Sequence, residues 1–255
     1  MRFIDSHTHA YLRGAEDLEL MSLAGVEGLV LCSYFPVMPS GPSTLIDLYK
    51  WLIRDEGTRL AKYGMKSWSA IGIHPRSIPE KGVDEVLAHM RVLFSGGKAS
   101  ALGEVGLETG SAEEVEVLTK QLRLADELNK PAIVHTPRAD KLRMLEKTLA
   151  ILNEVGMPLH GVILDHLTPD LVPMVRSAGA LAGLTVQPGK LTARDVGDIL
   201  LKNGPDGIVV NSDLGNVPSD PLTLPKVGRY LVSAGIDTNA VEMATYSNIR
   251  NLLTQ

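Results

Sequence analysis

Short apolar runs recur along the chain, separated by longer stretches in which apolar residues return every three or four positions. The runs are Gly28–Ser33, Trp68–Ile73, Ala101–Gly106, Ala132–His135, Val162–His166, a weaker one over Ala180–Gln187, and Ile208–Asp213. Each is too short for a typical helix and apolar almost throughout, the pattern of a strand covered on both faces. Helical spacing marks Ala15–Ala24, Ser43–Tyr63, Val83–Phe94, Ala112–Asn129, Lys141–Val155, a short stretch over Pro169–Ser177, Thr192–Lys202 and Leu222–Ala234, with a helical tail from Asn239. With Arg2–His9 as the opening strand, eight strands alternate with helices, which predicts a parallel sheet clothed by helices. Eight such units in 255 residues favour closure as a (β/α)8 TIM barrel over an open sheet, since barrels of this kind run to roughly 250 residues. No low-complexity segment, charge block or linker breaks the alternation, so the reading is a single α/β domain over residues 1–255 with a C-terminal helical extension.

The opening strand, Arg2-Phe3-Ile4-Asp5-Ser6-His7-Thr8-His9, departs from the apolar pattern. Side chains two apart on a strand share a face, so Asp5, His7 and His9 fall on one side. Neutral imidazoles and a carboxylate side by side suit a divalent metal better than a hydrophobic core. Similar residues mark the ends of later strands: His74 after the third, Glu104 in the fourth, His135 and His166 ending the fifth and sixth, and Asp213 closing the eighth. Five of the seven histidines thus lie at the carboxyl ends of predicted strands, with only His89 and His160 elsewhere. In (β/α)8 enzymes that end carries the active site. One histidine ending an apolar run is commonly structural; five in equivalent places, with two carboxylates, predict a metal site.

Composition narrows the substrate classes. There are 25 basic and 30 acidic residues, a net charge of −5, so no global basic field exists to hold nucleic acid and any phosphate must be gripped locally. Aromatic residues make up 4% of the chain, which argues against a broad base-stacking surface but not against an exonuclease that engages a few terminal nucleotides. The proline-rich loop Tyr34–Pro42 offers Tyr34 and Phe35 as a small ledge for such contacts. A single cysteine, Cys32, lies in an apolar run, and the N-terminus enters the first strand without a basic and apolar leader. With no apolar run of the ~18 residues a membrane span needs, these features lead us to expect a cytoplasmic protein, with no membrane association and no obligate protein partner.

The motifs together resemble those of TatD-type metal-dependent hydrolases, within the wider amidohydrolase superfamily. Asp5-Ser6-His7-Thr8-His9 matches the opening motif, Gly72-Ile73-His74-Pro75 the Gly-x-His-Pro, and Gly103-Glu104-Val105-Gly106-Leu107 the Gly-Glu-x-Gly-Leu. Val134-His135, Asp165-His166 and Ser212-Asp213 fall where the remaining ligands belong, and Ser247–Leu253 resembles the closing helix with its asparagine. The resemblance implies a two-metal site holding zinc, magnesium or manganese: His7, His9 and Asp213 on one ion, His135 and His166 on the other, and Glu104 bridging. It further implies that Asp213 takes a proton from the attacking water, that Asp5 orients a ligand from behind, and that His74 contacts a substrate phosphate. Arg76, where many relatives have a second histidine, is a fitting phosphate or carboxylate partner. Arg138 is a candidate second anion contact, although the family arginine stands two residues after the histidine rather than three. Glu108 reads as an ordinary exposed carboxylate.

Two further departures touch the substrate-reading positions. Strand 8 ends Asn211-Ser212-Asp213 where relatives commonly have Glu-Thr-Asp, and strand 6 continues Leu167-Thr168-Pro169 without the usual Cys or Ser-Gly. The expected activity is that of a phosphodiesterase, most specifically a deoxyribonuclease acting on DNA ends through metal-activated water. The alternative is a small-molecule amidohydrolase or lactonase using the same metal site.

Overall fold

The structure, a computed structural model, describes residues 1–34 and 36–254. Eight strands, β1 (Phe3–Thr8), β2 (Val26–Cys32), β3 (Lys66–Ile71), β4 (Ala101–Gly106), β5 (Ala132–His135), β6 (Val162–Leu164), β7 (Leu181–Thr185) and β8 (Ile208–Asn211), pair in chain order. All seven successive ladders are parallel. The ring closes where Asp213 N donates to His7 O at 3.1 Å, beside a parallel bridge between Thr8 and Leu214. This is the barrel that the alternating pattern predicts.

Alternate strand positions divide between two cores. Ile4, Val30, Ala70, Ala101, Ile133 and Val209 are buried inside the barrel, while Leu102, Val134, Leu164, Leu184 and Val210 face outward against the helices. Local chemistry sets the helix ends. Thr192 and Asp195 form a reciprocal capping box at the start of Ala193–Asn203, and Gly156 ends Lys141–Val155 in the left-handed region at φ 82°, a conformation in which glycine has no Cβ to clash. The C-terminal extension, Met243–Ser247 and Asn248–Leu253, closes the amino end of the barrel. Its Tyr246, Ile249 and Leu252 join the interior cluster, and Asn248 Nδ2 donates to the carbonyls of Pro205 and Ile208 at 2.8 Å each, at the entry to β8.

Three elements differ in detail from expectation. The helix read over Ser43–Tyr63 runs as Pro42–Lys50, a π-helical stretch Trp51–Glu56, and Gly57–Ala61; a widened turn leaves the i, i+3, i+4 pattern nearly intact. The short helix before β7 begins only at Val172, with Pro173 in its first turn, where a missing N–H costs nothing. β1 stops at Thr8, leaving His9 to lead a single turn of 3-10 helix, Ala10–Leu12. Among the described residues no helix is long and apolar enough to cross a membrane.

Candidate metal centre

The carboxyl ends of the strands bring the polar residues to one place. His7 and His9, on and just beyond β1, set their Nε2 atoms 3.3 Å apart. Glu104 Oε2 from β4 lies 3.3 Å from His7 Nε2 and 3.5 Å from His9 Nε2, and Asp213 Oδ1 lies 3.4 Å from His9 Nε2. The other oxygen of Glu104 faces a second set: Oε1 is 3.0 Å from His135 Nδ1, 3.2 Å from His166 Nε2 and 3.7 Å from His74 Nε2. Ligand-type atoms lie within 4.8 Å of one another in each of three groups: His7, His9 and Glu104; His7, His166 and Asp213; His74, Glu104 and His135. Imidazole nitrogens and carboxylate oxygens converging in a buried pocket are a donor set that fits divalent cations. His74 Nε2 is moreover buried without a hydrogen-bond partner among the described residues, a nitrogen whose lone pair suits a cation.

The backbone is held in uncommon conformations here. His166 and Asp213 both sit in the left-handed region, at φ 59° and 47°, which costs a non-glycine residue free energy and persists only where surrounding bonds impose it. Asp5 supplies some of those bonds. Fully buried, it accepts from Ser212 N at 3.1 Å, Ser212 Oγ at 2.5 Å and His7 N at 3.4 Å. It thereby ties β1 to the residue before Asp213, touching backbone and a hydroxyl rather than an imidazole.

Each histidine on the cluster is also gripped at its far nitrogen. His7 Nδ1 meets Asp165 Oδ2 at 2.6 Å, His9 Nδ1 donates to the Cys32 carbonyl at 2.9 Å, and His166 Nδ1 lies 2.7 Å from Thr185 Oγ1. His135 Nε2 meets Glu108 Oε2 at 3.0 Å. Glu108 is therefore not the ordinary surface carboxylate its position past β4 suggests. It is one-third exposed, bonded to a site histidine, and 3.6 Å from Arg76 Nε. Its pKa is lowered chiefly by the bond from His135.

Electrostatics keep Glu104 and Asp213 ionised, whereas burial raises the Asp5 carboxyl to about 7. Burial alone would raise Glu104, but His7, His74 and the bonds from His135 and His166 hold it well below the usual carboxylate range. Burial likewise opposes, and the bond from His9 with the charges around it outweighs, in Asp213, which is strongly lowered. His166 and His74 are each pushed down to about 4, mainly by burial.

The expected substrate contacts divide. Arg76 and Arg138 line an open cavity of about 760 Å³ above the cluster, Arg138 exposed at its rim. Arg76 also lies over the Tyr34 ring, 5.0 Å from its centroid. His74 is wholly buried beneath Tyr34, at a ring separation of 4.5 Å, with Nδ1 accepting from Arg76 N. Of the aromatic ledge, Tyr34 is in the cavity wall and Phe35 lies outside the described residues.

Several site residues escaped the sequence reading. Asp165 carries a visible signal, an acid beside a ligand-type histidine at a strand end. Lys190 carries none: it sits in the loop after β7, its Nζ 2.6 Å from Asp213 Oδ2 and 3.1 Å from His166 Nδ1. Lys141, also in the cavity wall, donates to the carbonyls of Thr136 and His166.

Residues 4–254 match the family model described as TatD related DNase. An uncharacterized metal-dependent hydrolase of Methanocaldococcus jannaschii is 33% identical over 248 residues, covering 97% of this chain and 98% of the relative. A TatD-like protein from Archaeoglobus fulgidus, of known structure, superposes with a TM-score of 0.85 at 31% identity, covering 99% of this chain and all of that one. A protein of Cronobacter sakazakii named 3'-5' ssDNA/RNA exonuclease TatD is 37% identical over 106 residues, 40% of this chain and 38% of its own length. With motifs, barrel and metal-type cluster in agreement across the chain, this protein belongs to the TatD-related DNase family of metal-dependent hydrolases.

Proposed function

We propose that the protein is a phosphodiesterase that trims DNA from an end, and that His7, His9, Glu104, His135, His166 and Asp213 hold two divalent ions for that purpose. The observation that carries the reading is the division of Glu104, with imidazoles of β1 gathered at one carboxylate oxygen and those of β5 and β6 at the other. Zinc suits the imidazoles, and magnesium or manganese suits phosphodiester chemistry. Held at such a site, a pair of divalent ions lowers the pKa of water and offsets charge on the oxygens of an in-line displacement. Asp213 is ionised and can accept a proton from water at neutral pH. Arg76 and Arg138 meet the phosphate, while Lys141 and Lys190 add positive charge to the same wall of an otherwise acidic protein. His74, beside Glu104, keeps one nitrogen for an ion or a substrate oxygen. The partial relative named as a 3'-5' ssDNA/RNA exonuclease supports the choice of a nucleic-acid end.

A second reading, hydrolysis of a small carbonyl compound such as a cyclic amide or lactone, is favoured by the cavity wall, in which Tyr34 is the single Phe, Tyr or Trp ring among the described residues. The experiment that separates them follows 3'- and 5'-labelled single-stranded DNA with added magnesium, manganese or zinc. Progressive shortening that a chelator stops and Asp213→Ala lacks supports the nuclease. No cleavage with any metal, by protein shown to hold its ions, transfers the proposal to a small carbonyl or phosphoester substrate.

A further inference from the structure

Asp165 has no part in the ligand set proposed above, yet it is among the most heavily bonded side chains in the protein. It is 0% exposed. Oδ2 meets His7 Nδ1 at 2.6 Å, and Oδ1 accepts from its neighbour's backbone, His166 N, at 2.7 Å. Asn211 Nδ2 approaches both oxygens, at 2.9 and 3.0 Å, and Thr185 Oγ1 adds a contact at 3.4 Å. Asn211 gives its amide hydrogens to this carboxylate while its own Oδ1 stays buried with no partner among the described residues. An amide tolerates that loss when the opposite orientation would set its oxygen against a negative charge. The backbone makes room as well. A Cβ on Gly183 of β7 would lie 2.3 Å from Asp165 Oδ1, so the neighbouring strand must carry glycine there.

This convergence of β1, β6, β7 and β8 on one carboxylate has a directional consequence. His7 has two ring nitrogens, and a carboxylate can only accept. A bond at Nδ1 therefore places a proton on Nδ1, so that in the neutral ring it is Nε2, facing His9, Glu104 and Asp213, that keeps the lone pair. A charged acceptor behind an imidazole also raises the basicity of the opposite nitrogen and fixes the plane of the ring. We propose that Asp165 is the positioning residue of the metal centre: it holds His7 in the Nδ1–H tautomer and aims Nε2 at the ion, with Asn211 and Gly183 shaped to keep the carboxylate in place. The inference rests on the metal-site reading and adds a residue outside the ligand set to it.

The test uses whole protein stripped with a chelator and titrated with cobalt(II), read by its visible absorption, and with zinc in competition. Asp165→Asn keeps the shape and an acceptor for His7 but removes the charge. The expected result is a metal affinity roughly 10- to 100-fold weaker in folded Asp165→Asn, with an altered cobalt spectrum. Wild-type affinity and spectrum in that variant would overturn the inference while leaving the metal site standing. Failure of the wild-type protein to bind cobalt or zinc would overturn both. Should Asp165→Asn not fold, the zinc-loaded wild type decides: two-bond nitrogen–proton correlations must show the His7 ring proton on Nδ1, and a proton on Nε2 refutes the proposal.

Discussion

At the amino end of the barrel, Tyr246, Ile249 and Leu252 of the C-terminal helices pack into the interior cluster formed by Ile4, Val30 and Val209. At the carboxyl end, the barrel presents His9, Glu104, His135, His166 and Asp213 to an open cavity, with His7 buried behind them. One end is filled by apolar side chains carried on a π-helical turn and the α-helix that follows it. The other buries carboxylates and imidazoles and holds two of them at positive φ. Such groups are costly to desolvate, and their bonds to one another offset that cost only in part. Stability and chemistry are thus divided along the strand axis. Residues at the amino end can be judged by packing, whereas those at the carboxyl end need a reason beyond stability.

That division can be broken in either direction. The largest effect should follow Glu104→Gln, which leaves the volume but removes the charge shared by the two histidine sets. Turnover of a cleaved substrate should fall by about 10³-fold or more, with much weaker metal binding, while the metal-free variant still folds and melts cooperatively. A melting temperature that collapses with activity would mean that the carboxyl end carries stability after all. Ile249→Ala probes the opposite end, where the side chain is 1% exposed. It should cost about 2–5 kcal/mol in chemical denaturation and leave metal affinity within a few-fold of wild type. Loss of metal binding in the folded variant would show that the ends are coupled.

A smaller effect sharpens the boundary between the two. Glu114 accepts the backbone N–H groups of Glu108, Thr109 and Gly110 at 2.8–3.2 Å and the Thr109 hydroxyl at 2.7 Å, fastening the loop that presents Glu108 to His135. Burial would raise its pKa, but those bonds win and lower it. A carboxylate depressed in the folded state stabilises above its unfolded pKa and loses that contribution as pH falls through the folded one. Glu114→Gln should therefore cost about 1 kcal/mol at neutral pH, and its difference from wild type should shrink on acidification below the ordinary glutamate pKa of about 4.3. A difference that grows in acid would reverse the assigned sign.

Much of this was legible from the chain because its two signals are regular. Doubly buried strands read as short apolar runs, and ligand-type residues stand where those runs end. His7, His9, Glu104, His135, His166 and Asp213 were picked out by that coincidence, and the structure brings all six together. What could not be read lay in loops or depended on which side of a strand end a residue faces. Glu108 stands two residues past β4, where strand alternation no longer says which way a side chain points, and Lys190 lies in a loop with no periodicity at all. Asp165 adjoins His166, and nothing in a dipeptide says that its partner is His7, far away in the chain. The π-helical widening at Trp51–Glu56 left no mark because one added residue per turn barely moves an apolar stripe.

The most direct test of the central claim is the metal content and anomalous scattering of crystals of the wild-type protein grown after loading with zinc or manganese. Two ions per chain, one beside His7 and His9 and one beside His135 and His166, both in contact with Glu104, is the predicted result. No bound ion, or a single ion that does not touch Glu104, would contradict it.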